Sequence, residues 1–136
     1  MTGGLRLSAA YRAYGCVTKT PYSWSGRSPD GKTVAISMWV DGIHNDTSPM
    51  TYGSVGKEDI ANWEWRQGNK DRIEDLKWSH DHCGGRLRVI ITVPEDFDAP
   101  TRKVAEAWVR PDLVMQLDEL NENTGEFRAS LIDGKY

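Results

Sequence analysis

The stretch "RLRVIITV", residues 86–93, decides how the chain is read. It is rich in β-branched residues, whose stiff side chains favour a pleated, buried surface over a helix. Gly84 and Gly85 precede it and Pro94 follows, so its length is that of a strand. It reads as the central strand of a sheet, and the fold is built outward from it.

Upstream, "NKDRIEDLKWSHDHC", 69–83, predicts a helix. Asn69 can cap it, Asp71 sits in the first turn, and Ile73, Leu76, His80 and Cys83 recur at helical spacing. The segment before it, "GKEDIANWEWRQGN", suits either a helix over 58–66 or an extended run around its tryptophans. Further upstream, Val34, Ile36, Met38 and Val40 alternate with Ala35, Ser37 and Trp39, the period of a half-buried strand. That strand is expected in the same sheet as 86–93. "SPDG", 28–31, supplies the proline and glycine of a turn, so the residues before it complete a hairpin. "LRLSAAYRAYG", 5–15, reads as a short helix with Leu5, Ala9 and Ala13 on one stripe and Gly15 closing it.

Downstream, Asp98 as cap and Pro100 at the start predict a helix over 101–108. "PDLVMQLDEL" and "EFRASLI" then put Leu113, Met115 and Leu117, and Phe127, Ala129 and Leu131, on single faces of two strands. The short "NENTG" between them implies an antiparallel hairpin. These elements define an α+β fold with a mainly antiparallel sheet built from hairpins and three to four short helices. Many short, curved strands leave a small closed or partly open barrel as the alternative. Residues 1–136 read as a single globular domain.

Composition agrees: 38% hydrophobic and 27% charged residues suit a soluble globular chain. No apolar run reaches the roughly 18 residues of a membrane span, and no secretory signal opens the sequence. The expectation is a cytoplasmic protein with Cys16 and Cys83 reduced. Net charge is −3, which argues against a generic polyanion binder, but it is unevenly spread: residues 1–40 carry +4 and residues 41–136 carry −7.

The motifs for chemistry are thin. "HDHC", 80–83, offers His80, Asp81, His82 and Cys83, but on a helix His80 and His82 lie about 200° apart and converge on zinc only if the helix unwinds before them. "GSVGKED", 53–59, lacks the phosphate-loop spacing. Neither Ser79 nor Cys83 can be paired with a base from spacing alone. The reading therefore contains no catalytic residue, no metal and no cofactor.

Six tryptophans are the stronger signal. Trp39 and Trp108 read as core, and Trp78 as packed under a loop. Trp24, Trp63 and Trp65 stand in polar, glycine-bearing segments, "YSWSGRS" and "NWEWRQGN", with Arg27 and Arg66 close behind. Such rings stack flat groups, and arginine holds phosphate. The expected ligand-binding set is Trp24, Arg27, Trp63, Trp65, Arg66 and Lys70. The function it implies is a small binding module with a tryptophan cleft for single-stranded, flipped or modified nucleotides in DNA or RNA. The alternative is an acidic protein-interaction or inhibitor module, whose "DELNENTGE", 118–126, would meet a basic protein surface. A small hydrolase or nuclease using its histidines is the third reading.

Overall fold

A computed structural model describes residues 6–20, 23–44, 50–53, 66–99 and 102–132. In chain order the elements are α1 (Leu7–Ala13), β1 (Ser25–Arg27), β2 (Val34–Trp39), a 3-10 turn (Val40–Gly42), β3 (Ile43–His44), β4 (Thr51–Gly53), α2 (Gln67–His82), β5 (Arg86–Pro94), β6 (Val104–Leu120) and β7 (Phe127–Leu131). The strands form one sheet in the order β1-β2-β5-β6-β7-β4-β3. The run that decided the reading is β5, in the interior of that sheet beside β2.

The sheet is mixed and mostly antiparallel. β1 and β2 make the hairpin that "SPDG" predicts, with Gly31 at φ +74° in its turn. β6 and β7 make the second hairpin, pairing Leu117 with Ala129 and Leu120 with Phe127. β2 and β5 run parallel, Ile36 opposite Val89 and Met38 opposite Ile91. A parallel pair needs a crossover, and α2 lies within the connection between them. The outermost strands, β1 and β3, do not pair with each other, so the sheet is open rather than a closed barrel.

Two clusters form the core. Val34, Ile36, Met38, Leu87, Val89, Ile91, Met115, Leu117, Phe127 and Ala129 pack with Leu76 of α2. On the second face, Ala35, Ile90 and Ala107 pack with Ala10 and Tyr11 of α1 and with Cys16. β2 and β5 are thus buried on both faces, which explains the near-continuous apolar run of 86–93.

Two helices are described where three to four were expected, and 101–108 accounts for part of the difference. Residues from Val104 onward are the first half of β6, with Trp108 opposite Ile91 and Ala107 opposite Thr92. The helix-favouring "AEAW" yields to this pairing, because β5 offers a long apolar partner that local propensity cannot match. The 58–66 helix lies outside the described residues.

Pro111, awkward inside a strand, falls in an irregularity. Between the pairs Arg88–Val114 and Ile90–Val109, β5 has only Val89 while β6 has residues 110–113. Tyr14 from the end of α1 fills the gap in the ladder. Its hydroxyl donates to the Val89 carbonyl at 2.9 Å and accepts the Arg110 N–H at 2.9 Å.

The helix stripes are also rotated from expectation. α1 buries Ala10 and Tyr11. α2 buries Asn69, Asp71, Arg72, Asp75, Leu76 and Ser79, a face with one apolar residue. Ile73 is half-buried and His80 exposed. Hydrogen bonds turn α2 this way: Asn69 Nδ2 donates to the Thr124 carbonyl at 2.9 Å, and Ser79 Oγ to the Arg86 carbonyl at 2.6 Å. Asn69 is therefore an interior anchor and not the cap; Arg66 holds the N-cap position.

Candidate functional site

β1 lies along α2, and that contact places two of the expected site residues. Trp24, just before β1, is half-buried, and its ring rests on Gly68, where an added Cβ would come within 2.6 Å of it. The Arg72 guanidinium carbon lies 4.9 Å from the Trp24 ring centre and 4.8 Å from that of Phe127. Burial lowers the Arg72 pKa from its usual range.

Arg27 points elsewhere along the helix. It sits 4.4 Å over the ring of Trp78, and its Nε is 3.7 Å from Asp75 Oδ1. Asp75 also accepts the Ser25 hydroxyl at 2.6 Å. Burial raises the Asp75 pKa, opposed by that hydrogen bond and by Arg27. Trp78 does pack under a loop, donating from Nε1 to the Gly31 carbonyl at 2.8 Å.

Arg66 and Lys70 occupy the start of α2. Lys70 is exposed and lies about 200° around the helix from Gly68, so it faces away from the Trp24 contact. Trp63 and Trp65 lie outside the described residues. Of the six expected residues, Trp24 and Arg27 share the seam between β1 and α2, engaged with Arg72 and with Trp78 and Asp75 respectively.

The groups weighed for chemistry sit apart. His80 Nδ1 is 3.1 Å from Asp81 Oδ1, and the His82 ring stacks on Trp78 at 3.9 Å. Cys16 is buried, and burial pushes its thiol up to about 11, which keeps it protonated and unreactive near neutral pH. The acids of 118–126 are largely neutralised within the chain. Arg128 meets Asp118 and Glu119 at 3.7 and 3.4 Å, and Lys77 meets Glu122 at 3.0 Å.

A different surface emerges at the carboxyl ends of the parallel pair β2 and β5. Trp39 ends β2, and its backbone N–H donates to the Tyr52 hydroxyl at 3.2 Å. Arg102 reaches across from the segment before β6. It grips Asp41 with two bonds of 2.7 Å and donates to the Phe97 carbonyl at 2.9 Å. Its guanidinium lies 5.3 Å from the Trp39 ring centre and 5.6 Å from that of Phe97, within cation–π range. Phe97 is nevertheless 48% exposed and Val40 39% exposed. Sequence reasoning missed this cluster and read Trp39 as core, whereas Trp39 is half-buried and stands outside both core clusters. A legible signal was present: "PEDFDAP", 94–100, places one aromatic among acids between two prolines, where core packing gives it no role.

No protein-family model matches the chain, and neither a curated protein nor a solved structure is significantly similar to it.

Proposed function

We propose that this chain is a protein-interaction module whose contact surface is the Trp39–Val40–Phe97 cluster at the carboxyl ends of β2 and β5. One observation carries the reading: Phe97 is displayed to solvent while the arginine beneath it is held by Asp41 and by the Phe97 carbonyl itself. An apolar side chain exposed on a braced loop loses little conformational freedom on binding, which is the physical basis of a binding hot spot. Aromatic residues and arginine, the types enriched at such spots, are the ones assembled here.

The test is retention on wild-type and Phe97→Ala chains, followed by reconstitution with the purified partner. A partner held by the wild type and weakened at least about tenfold by Phe97→Ala supports the module. A partner held equally by both chains refutes this surface.

The nucleotide reading stands second, favoured by half-exposed Trp24 against the first turn of α2, where Arg66 is the N-cap residue. Stacking of a base on Trp24 would quench its fluorescence on titration with single-stranded or base-modified oligonucleotides, and Arg66→Ala would weaken that binding. An unchanged emission across the titration removes this reading.

A further inference from the structure

Resting on the surface proposed above, we infer that its partner is a cationic protein surface with an apolar pocket, and that Phe97 enters the pocket. Charge points to this occupant. Glu95, Asp96 and Asp98 flank Phe97 and are all exposed. Among the described residues, Asp96 and Asp98 bond within the loop, the Asp98 N–H donating to Asp96 Oδ1 at 2.9 Å. None of the three acids has an ion-pair partner among the described residues, whereas Asp71, Asp75, Asp112, Asp118, Glu119 and Glu122 each have one.

The local balance is acidic even with the brace included. Asp41, Glu95, Asp96 and Asp98 stand against Arg102 and Lys103, a net −2. Asp41 is committed to Arg102, which also attracts Asp98, so the charge left over around the exposed ring is chiefly that of Glu95 and Asp96. An anionic partner would be repelled at contact distance, and an uncharged one would bury these carboxylates without compensation. A cationic rim around an apolar pocket satisfies both the ring and its acids. At 118–126, by contrast, Asp118 and Glu119 face Arg128 and Glu122 faces Lys77.

The experiment uses the full chain and three peptide probes: an amphipathic lysine/leucine helix, its glutamate/leucine counterpart, and polylysine. Binding is located by amide chemical shifts at low and physiological salt. The expected result is that the lysine/leucine peptide shifts residues 95–98 and Val40 and binds well above polylysine. Phe97→Ala should weaken it about tenfold. Glu95→Gln combined with Asp96→Asn and Asp98→Asn should weaken it similarly and flatten its salt dependence.

Equal binding of the glutamate/leucine peptide at Phe97 would overturn the cationic partner while leaving the interface standing. Polylysine binding as tightly as the amphipathic peptide would overturn the pocket. Shifts confined to other parts of the chain, or no binding, would overturn both this inference and the surface on which it rests.

Discussion

Arg72 and Arg102 each lie against two aromatic rings, and the two clusters end up in opposite roles. Arg72 lies 4.9 and 4.8 Å from the ring centres of Trp24 and Phe127 and is 8% exposed. Arg102 lies 5.3 and 5.6 Å from the ring centres of Trp39 and Phe97, with its side chain 23% exposed. The difference is what stands behind each arginine. Arg72 issues from α2, so the helix and the sheet close over it, and desolvation lowers its pKa. Arg102 is backed by the surface carboxylate of Asp41, whose hydrogen bonds raise its pKa. The same pairing of side chains thus makes a core in one place and displays a ring in the other, decided by the neighbouring backbone.

The comparison breaks first if the Arg72 cluster proves soft. Phe127 is fully buried and packs against Tyr52 at 5.9 Å as well as Arg72. Phe127→Ala is expected to cost about 3–5 kcal/mol in urea unfolding, from lost transfer energy and the cavity left behind. A loss near 1 kcal/mol would mean that this region is not core.

Trp24→Ala should follow at about 2–3 kcal/mol, below the range for a fully buried ring because Trp24 is half-exposed. Gly68→Ala tests the same contact from the helix side. A methyl at 2.6 Å from the ring must displace it, at about 1–3 kcal/mol, although alanine is otherwise the better helix former. A stabilised Gly68→Ala would show that the Trp24 ring does not sit there.

Asp75 sharpens the contrast through pH. Its pKa is raised in the folded state, chiefly by burial. Its contribution to stability is therefore fully present below the unfolded value of about 3.9 and is lost as pH rises through the folded value. Asp75→Asn retains an acceptor for Ser25 and removes this titration. Thermal melts should show the wild type losing ground to the variant as pH rises from about 4 to 7. A wild type that instead gains on the variant would mean that attraction to Arg27 outweighs burial.

The elements legible in the sequence were those whose pattern and packing agree. β5, the alternation of 34–38, and the Met115/Leu117 and Phe127/Ala129 faces all carry apolar side chains that reach the core the pattern implies. The rotation of α2 was hidden because its buried face is held by Asn69, Asp75 and Ser79, polar residues that a hydrophobic stripe cannot reveal. The first half of β6 was hidden because its strand character comes from β5 and not from its own residues. For the site, sequence grouped Trp24 and Arg27 as ligand-binding residues, and the structure shows their contacts within the chain. Sequence alone could not show that their partners, Arg72, Trp78 and Asp75, come from α2, some 45 residues or more away along the chain.

The central claim is that Phe97 is displayed for contact and contributes little to the fold. Its most direct test is a urea melt of Phe97→Ala beside the wild type. The loop is braced from Arg102 to the Phe97 carbonyl, which the substitution leaves in place. The expected change is within about 0.5 kcal/mol, as for an ordinary surface position. A loss of about 2 kcal/mol or more, matching Trp24→Ala, would contradict the account, because it would make the Arg102 cluster a second core and not a contact surface.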